Sequence, residues 1–429
     1  MPSSIRHRVS LSALIIFSVF ALSGFGCRRD SSDPSVNFSG ELVVWGLWQE
    51  SADIQPVIDT FKKKTGVNVV YKKIASVADY EKILLEAIAG GQGPDVFVIN
   101  SAWVEDKQRL LSPAPADTAD PRAVQENFVD VVAQEVIRNG QVYALPTSVD
   151  TLAMYYNKDL LGAAGIASAP STWTQFQQTV EKLTRVDRFG NIHQSGAAIG
   201  TSANVNRAGD ILQLLMLQSG LPIYNSDKSS IDINNDVAQR ALTFYTDFAN
   251  KSKKVYTWNL QQDYSIDAFA EGETAIMFNY SYHLATIKAK NPRLNFAVAP
   301  MPQIGDTAES RRVNFSAFWP YAVSASSRAP KVAWQFLDFM TSSEMAAKIN
   351  AGQQAPPARR DGVVQLQRDP QLGVFAESAL TAKSWPRRDL AATDAIFSTL
   401  IDSVVSGSAT EKAALNRAED QLNQLRTQQ

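Results

Sequence analysis

The chain contains very little cysteine and histidine, the residues from which most metal centres and many catalytic sites are built. Its 429 residues include one cysteine and three histidines. A single cysteine cannot form a disulfide within the chain. Beyond the N-terminal segment the histidines are His193 and His283, and neither belongs to a His-x-x-x-His or Glu-x-x-His pattern. We therefore expect a protein that is not an enzyme and that holds no metal and no cofactor.

An excess of positive charge is also missing. The chain has 41 Lys and Arg residues against 43 Asp and Glu residues. Binding to nucleic acid requires a basic surface, so no nucleic-acid partner is expected. The length is about three times that of a typical domain, which predicts two or more lobes, each large enough to bury a core.

Long apolar runs are absent except near the N-terminus. There, Arg6 and Arg8 precede an apolar run from Val9 to Leu22. This run is too short for a membrane-spanning helix, and a basic start followed by a short apolar run is typical of an export signal. We therefore interpret residues 1–26 as a signal peptide, and we expect the protein outside the cytoplasm, in the periplasm or at the cell surface.

The single cysteine follows the signal directly. Cys27 comes after Gly26, and this junction resembles a bacterial lipoprotein cleavage site, where the thiol receives a lipid such as palmitate. The resemblance implies a membrane anchor at Cys27; the alternative is ordinary signal cleavage that leaves a free thiol. Residues 27–39 are rich in Ser, Asp and Pro and are expected to form a flexible tether.

The residues after the tether alternate between strand and helix patterns. Strands are predicted at Glu41–Trp45, Val67–Tyr71 and Asp95–Ile99, with apolar residues at helical spacing between them. This is a βαβαβ unit, which favours a parallel sheet with right-handed crossovers. Ligands of such sheets bind at the carboxyl ends of the strands.

Aromatic and amide side chains follow two of these strand ends. Trp48, Gln49 and Glu50 come after the first strand, and Asn100 and Trp103 after the third. A sugar offers apolar ring faces and a rim of hydroxyl groups, so it requires flat aromatics and polar partners. These five residues are therefore candidate sugar contacts, although the two tryptophans could instead pack in the core.

Residues 141–161 form the most informative segment. They predict a strand ending before Pro146, a turn that carries Asp150, and a second strand from Leu152 to Tyr156 that leads into Asn157-Lys158-Asp159. This pattern resembles the extracellular solute-binding proteins of ATP-driven sugar importers, the family that includes maltose-binding protein. Further segments similar to that family, in its order, are residues 170–176, 268–277, 297–302 and 331–342.

The resemblance implies an α/β fold, the type II periplasmic-binding-protein fold. Two lobes, each a mixed and mostly parallel sheet flanked by helices, would be joined by a hinge with a ligand cleft between them. The implied bounds are 40–149 plus 316–350 for the N-terminal lobe and 150–312 plus 353–429 for the C-terminal lobe.

The resemblance also implies ligand contacts. Gln49, Glu50 and Asp150 align with polar ligand contacts of the family. In the second lobe the pattern implies a stacking aromatic, which could be Tyr280 or Tyr282. The remaining candidates are Trp319, which would either narrow the site or pack, and Trp385 from a loop of the last segment.

The implied function is that of the substrate-binding component of an ATP-driven (ABC) importer. It would bind a sugar, oligosaccharide or polyol as a monomer and deliver it to the transmembrane permease subunits. Three alternatives stay open. The protein could be a secreted carbohydrate-active enzyme with Glu50 and Asp150 as paired carboxylates, or a ligand sensor for a membrane signalling protein. It could also bind an anionic solute through arginines, of which the candidates are Arg359, Arg360, Arg387 and Arg388.

Overall fold

The computed structural model describes residues 38–305 and 312–427. The predicted signal peptide and Cys27 lie outside the described residues, as does most of the predicted tether. Within the described ranges, none of the helices combines the length and apolar character needed to cross a membrane.

The described chain contains fifteen strands, one 3₁₀ turn and seventeen α-helices. The strands are β1 (Glu41–Gly46), β2 (Asn68–Lys73), β3 (Val96–Val98), β4 (Ile137–Arg138), β5 (Gln141–Val142), β6 (Ala144–Leu145), β7 (Asp150–Thr151), β8 (Ala153–Asn157), β9 (Arg185–Val186), β10 (Ile192–Gln194), β11 (Ile276–Asn279), β12 (Phe296–Ala299), β13 (Asn314–Ala317), β14 (Tyr321–Val323) and β15 (Ala382–Lys383). The helices are α1 (Ser51–Thr65), α2 (Tyr80–Ala89), α3 (Trp103–Asp106), α4 (Pro121–Asn127), α5 (Asp130–Val136), α6 (Lys158–Ala163), α7 (Trp173–Leu183), α8 (Ala208–Gln218), α9 (Asp236–Asp247), α10 (Ser265–Glu271), α11 (His283–Lys290), α12 (Pro330–Met340), α13 (Ser343–Gln353), α14 (Arg360–Leu366), α15 (Leu372–Ala379), α16 (Leu390–Val405) and α17 (Glu411–Thr427), and the 3₁₀ turn is Gln108–Leu110.

The predicted βαβαβ unit forms one side of a five-stranded sheet with the order β2-β1-β3-β14-β6, in which β2 is an edge strand. Strand β1 pairs in parallel with both β2 and β3, so α1 and α2 are the crossover helices. Strand β14, which comes from much later in the chain, adds antiparallel to β3, and β6 adds antiparallel to β14. The strand after residue 140 was predicted as one run and is two short strands, β5 and β6, which belong to different sheets.

A second sheet has the order β11-β8-β12, and both of its pairings are antiparallel. This departs from the mostly parallel sheet that was expected here. Strands β8, β11 and β12 are separated by helical segments, and connections of that length allow either strand direction. Because all four residues of β11 are buried, this small sheet lies inside the molecule and not at its surface.

Two separate hydrophobic cores account for most of the buried apolar side chains. The first core includes Val44, Phe97 and Trp334, and the second includes Tyr155 and Trp258. We call the elements around the first core the first lobe and those around the second core the second lobe. Each core combines one of the two sheets with its own helices, as expected for an α/β fold with two lobes.

The chain crosses between the cores along neighbouring strands. Val149 belongs to the first core and Leu152 to the second, while Phe315 belongs to the second and Phe318 to the first. The two crossings are paired, because β7 and β13 are antiparallel with Asp150 opposite Ala317. Because β7 and β13 are paired, the segments that carry Asp150 and Trp319 are held next to each other.

After residue 353 the chain contacts both cores. Helices α14 and α15 place Val363, Ala376 and Ala379 in the first core, and Ala382 of β15 also belongs to it. Trp385 is the next residue of the chain that lies in the second core. Phe375 of α15 also lies in the second core, so this helix packs between the two lobes.

Candidate functional site

Asp150 lies at the paired crossing, and its carboxylate is surrounded by hydrogen-bond donors. Its Oδ2 accepts hydrogen bonds from the Ser281 backbone N–H at 3.0 Å and from the Ser281 hydroxyl at 2.8 Å. Its Oδ1 accepts one from the Thr151 backbone N–H at 2.8 Å. Through Ser281, the carboxylate ties the crossing to the segment that follows β11. Asp150 is therefore a fixed acceptor and not a freely rotating surface acid.

The donors around Asp150 are all neutral, and this controls its protonation. Burial raises the pKa of Asp150 to about 6, and the hydrogen bonds from Ser281 and Thr151 only partly offset that effect. An opposite charge nearby would have lowered the pKa instead. Among the described residues, burial and these neutral donors are the main influences on the carboxylate, so it favours a ligand that brings hydroxyl donors over one that brings negative charge.

Three tryptophans of the first lobe form a cluster beside the crossing. Trp319 contacts Trp48 and Trp103 edge to face, with ring centroids 5.0 Å and 5.4 Å apart. Trp48 is 43% exposed, whereas Trp103 is buried. Within the described part of the chain, the Trp103 indole nitrogen has no hydrogen-bond partner. The cluster therefore has one exposed ring, that of Trp48, while the buried Trp103 packs on Trp319.

Gln49 and Glu50 follow Trp48 but have different surroundings. Gln49 is buried, and its Oε1 has no hydrogen-bond partner among residues 38–305 and 312–427. The hydroxyl of Tyr71 donates to the Gln49 backbone carbonyl at 2.7 Å and holds this turn in place. Glu50 is exposed, forms an ion pair with Lys73, and caps the start of α1. Gln49 thus has unused acceptor capacity, while Glu50 is engaged in stabilising its own lobe.

Asn100 lies at the end of β3, next to the segment that carries Trp319. Its Oδ1 accepts a hydrogen bond from the Ala102 backbone N–H at 3.0 Å, which turns the chain into α3. The neighbouring N–H groups of Ile99 and Ser101 donate to the carbonyls of Pro320 and Phe318. Residues 99–101 and 318–320 therefore run side by side, which places Asn100 close to the tryptophan cluster.

The two tyrosines of the second lobe are clearly different. Tyr280 is 1% exposed, and its hydroxyl donates to Asp210 Oδ2 at 2.7 Å. Tyr282 is 47% exposed and stacks on Tyr280, with ring centroids 5.8 Å apart and an interplanar angle of 16°. Of these two tyrosines, Tyr282 is the one with an exposed ring. Tyr280 is a core residue in this conformation, because α8 supplies the buried acid to which it is bonded.

Arg207 contacts the same tyrosines and was not among the sequence candidates. It donates a hydrogen bond to the Tyr282 hydroxyl at 2.5 Å, and its guanidinium lies 5.4 Å from the Tyr280 ring centroid. Its backbone is left-handed, with φ of 63°, which is unusual for a residue with a side chain. Burial raises the pKa of Tyr282 to about 12 although Arg207 acts in the opposite direction. Tyr282 therefore remains a neutral donor and acceptor at physiological pH.

Trp385 is buried, and the four arginines named above are already paired. Trp385 is 2% exposed and packs edge to face on Phe397, so it is a core residue here and not an accessible platform. Each arginine already has a carboxylate partner. These pairs are Arg359 with Asp361, Arg360 with Asp130, Arg387 with Asp210, and Arg388 with Asp106. The observed geometry therefore gives no support to an anion site built from these residues.

The accessible candidates are connected in one chain of contacts. Trp48 contacts Trp319, which lies two residues after Ala317. Ala317 on β13 is paired with Asp150 on β7. Asp150 is bonded to Ser281, the residue before Tyr282. The exposed ring of Trp48 in the first lobe and the exposed ring of Tyr282 in the second lobe are thus connected through the Asp150 carboxylate at the crossing.

Comparison with known proteins identifies the family. A model of the bacterial extracellular solute-binding proteins matches residues 45–347. The chain belongs to this family. This solute-binding protein is 26% identical to the maltodextrin-binding protein MdxE of Bacillus subtilis over 341 residues, which are 76% of this chain and 75% of that protein. It is 22% identical to the maltotriose-binding protein of Pyrococcus abyssi over 323 residues, 72% of this chain and 64% of that protein.

Solved structures show the same fold. A cyclo/maltodextrin-binding protein complexed with maltotetraose superimposes with a TM-score of 0.75 at 20% identity, covering 90% of this chain and 97% of that one. The sugar-binding protein MalE from Xanthomonas citri gives a TM-score of 0.74 at 18% identity, with 90% and 97% of the two chains covered. The predicted family and two-lobe fold are confirmed. Members of this family are extracellular binding proteins, which supports an exported solute-binding protein.

Proposed function

We propose that this solute-binding protein binds a sugar or oligosaccharide in the cleft at the lobe crossing and delivers it to the permease of an ATP-driven importer. One observation carries the proposal. The uncompensated carboxylate of Asp150 lies in the contact chain between the exposed rings of Trp48 and Tyr282. Ring faces suit the apolar faces of a sugar, and a fixed carboxylate accepts its hydroxyl groups in strong charge-assisted hydrogen bonds.

The proposed contacts are sufficient for useful affinity. A micromolar dissociation constant corresponds to about −8 kcal/mol, which a few charge-assisted hydrogen bonds and two stacked rings can supply. Gln49 Oε1 is a further acceptor that lacks a partner in the described chain, and a ligand hydroxyl would satisfy it. A ligand that touches both lobes binds the closed form better than the open form, so binding shifts the population towards closure.

A secreted carbohydrate-active enzyme is less well supported. The residues considered for a carboxylate pair were Glu50 and Asp150, and Glu50 is exposed and bound to Lys73. A glycosidase needs both carboxyl groups free to face the scissile bond.

A sensor would bind the same ligand, so only transport separates it from an importer component. Uptake of radiolabelled sugar should fall in cells that lack this protein if it serves an importer.

We also propose that the protein acts as a monomer and that Cys27 carries a lipid anchor. The position of Cys27 after a predicted signal peptide supports the anchor. One acyl chain alone binds a membrane weakly, so several chains on the terminal cysteine would be needed for stable retention. The importer's permease subunits would then meet the protein at the membrane surface.

Titration calorimetry and thermal unfolding over a panel of sugars test the proposal. Maltotriose, maltotetraose and longer maltodextrins come first, since the relatives named above bind such sugars; monosaccharides and polyols follow. A ligand at 100 times its dissociation constant should stabilise the folded state by about 2.7 kcal/mol. The absence of heat and of a thermal shift with every sugar and polyol would contradict the proposal. Release of shorter products during incubation would favour the enzyme.

A further inference from the structure

Arg207 has a backbone conformation that arginine rarely adopts. Its φ is 63° and its ψ is 23°, in the left-handed region, at the residue that directly precedes α8. In this region the Cβ of an L-residue crowds the following carbonyl oxygen, so glycine or asparagine is more common there. Arg207 therefore carries local strain that asparagine would relieve. Residues held in this way are concentrated at functional sites.

The guanidinium of Arg207 leaves most of its donor capacity unused. It is half-buried, and in the described part of the chain its one hydrogen bond is the one from Nη2 to the Tyr282 hydroxyl. The Nε is buried without a partner. An N–H group that is removed from water and left unpaired destabilises the fold. The second lobe thus keeps an unsatisfied cationic donor beside its exposed tyrosine.

Arg207 also lacks a carboxylate partner of its own among residues 38–305 and 312–427. Asp210 is the acid whose charge acts on Arg207, but it is paired directly with Arg387 and accepts from the Tyr280 hydroxyl. Arg387 lies 3.4 Å from Asp394 as well. Arg207 differs in this from the four arginines considered above, each of which has an acid within ion-pair distance. Water or a ligand has to supply the acceptors that its guanidinium requires.

A cationic donor and an anionic acceptor both act on Tyr282. The charge of Arg207 lowers the pKa of the Tyr282 hydroxyl, and the charge of Asp150 raises it. Asp150 is bonded to Ser281, the residue directly before Tyr282. A sugar hydroxyl is both a donor and an acceptor, so a sugar ring stacked on Tyr282 can donate to Asp150 and accept from Arg207. A ligand that carries only negative groups would suit Arg207 but not Asp150.

We propose that Arg207 is a ligand-binding residue whose guanidinium donates to a hydroxyl or ring oxygen of a saccharide stacked on Tyr282. The inference rests on the proposed function, because it requires a saccharide at this tyrosine. It adds a donor to a site in which Asp150 and Gln49 supply acceptors. The strained backbone and the unpaired Nε of Arg207 are then features that serve binding and not stability.

Replacing Arg207 with asparagine separates binding from stability. Asparagine adopts the left-handed conformation more readily and ends at its short amide, so it relieves the strain and removes the guanidinium. We expect Arg207→Asn to weaken sugar binding about tenfold in titration calorimetry, the loss of one charge-assisted hydrogen bond. The melting temperature of the sugar-free variant should stay the same or rise. Arg207→Lys keeps the charge and should recover part of the lost affinity.

Lys228 provides the matched control. It is also a cation with a left-handed backbone, at φ of 59°, and its side chain is exposed. Its backbone carbonyl accepts from Arg426 near the end of α17, a contact that does not depend on the lysine side chain. Lys228→Asn therefore removes the same charge and relieves the same kind of strain. It should leave the affinity for sugar unchanged and should not lower the melting temperature.

A double variant distinguishes direct contact with the sugar from an effect through Tyr282. Tyr282→Phe removes the hydroxyl that Arg207 holds but keeps the guanidinium. If Arg207 acted only by orienting Tyr282, adding Arg207→Asn to Tyr282→Phe would cost no further affinity. If the guanidinium contacts the sugar, the double variant should bind several-fold more weakly than Tyr282→Phe alone.

The ligand in these measurements is the tightest-binding sugar of the panel above, which begins with maltotriose and maltotetraose. Equal affinities of Tyr282→Phe and the double variant would overturn the inference. It would also fail if Arg207→Asn lowered the melting temperature and left the affinity of the wild type intact, since Arg207 would then be a structural residue. A wild-type protein that binds no sugar of the panel would contradict the proposed function and this inference together, whereas binding that is unaffected by Arg207→Asn would contradict the inference alone.

Discussion

Replacing Asp150 with asparagine should stabilise the fold and weaken the binding of a sugar. The wild-type carboxylate is ionised at pH 7 in a site that raises its pKa from 3.8 to about 6. Each pKa unit corresponds to about 1.4 kcal/mol, so the charge costs the folded state about 3 kcal/mol at neutral pH. Asparagine removes that charge and keeps the size of the side chain.

The hydrogen bonds around Asp150 reduce the expected gain. The asparagine oxygen can still accept from the backbone N–H groups of Thr151 and Ser281, and the Ser281 hydroxyl can turn to accept from the new amide. The raised pKa already includes the charge assistance of these bonds, so the further loss comes from placing an amide NH₂ where a carboxylate oxygen accepted from Ser281, which costs about 1 kcal/mol. We therefore expect Asp150→Asn to raise the free energy of unfolding by about 2 kcal/mol at pH 7.

The dependence on pH has a defined sign. Because the pKa of Asp150 is higher in the folded state, the folded protein binds the proton more tightly. The wild type therefore loses stability as the pH rises from 3.8 to about 6, and the loss is complete above that range. The advantage of Asp150→Asn should be present at pH 7 and should shrink or reverse near pH 3.5, where the wild-type carboxyl is protonated in the folded state and mostly protonated in the unfolded state.

Urea unfolding at several pH values measures this difference, and calorimetry measures the affinity for sugar. Asp187→Asn is the matched control, because hydrogen bonds from Asn191 lower the pKa of Asp187 to about 2. That substitution should reduce stability at pH 7, the opposite sign. Asp150→Asn should also weaken sugar binding at least tenfold, since it loses a charged acceptor. The reasoning would be refuted if the Asp150→Asn protein were less stable than the wild type at pH 7 and if its stability depended on pH in the same way as that of the wild type.

Three further predictions concern the aromatic residues and the anchor. Trp48→Ala should weaken sugar binding and should cost less unfolding free energy than Trp103→Ala, because Trp48 is 43% exposed and Trp103 is buried. Trp103→Ala should cost about 3–5 kcal/mol in urea unfolding, and equal losses of stability would be inconsistent with their different burial. Tyr282→Phe removes the hydroxyl that Arg207 binds and should weaken binding by up to about tenfold in calorimetry, a prediction that fails if affinity is unaffected. Cys27→Ser should move the protein from the membrane fraction to the soluble exported fraction in cell fractionation, and an unchanged distribution would argue against the lipid anchor.

The βαβαβ unit could be predicted from the sequence because its strands are continuous apolar runs. β1 and β3 are buried as that pattern predicts, and Trp48 and Asn100 follow their carboxyl ends. The antiparallel second sheet could not be predicted in the same way. Its strands are joined through helical segments, and apolar patterns carry no information about strand direction.

The tyrosines show why local pattern was insufficient at the site. Tyr280 and Tyr282 lie one and three residues after the end of β11, and their environments differ because of residues far away in the chain. Asp210, 70 residues earlier, binds the hydroxyl of Tyr280 and buries it. Arg207 holds Tyr282 through a left-handed backbone conformation that its sequence does not signal. Trp385 is another example, since Phe397 on α16 covers its ring.

A structure of the protein crystallised with maltotetraose tests the central claim most directly. The account predicts a sugar ring on Trp48, another on Tyr282, and a hydroxyl group within hydrogen-bond distance of the Asp150 carboxylate. Sugar bound elsewhere on the surface, or a cleft filled by a ligand whose charged groups contact neither ring nor Asp150, would contradict it.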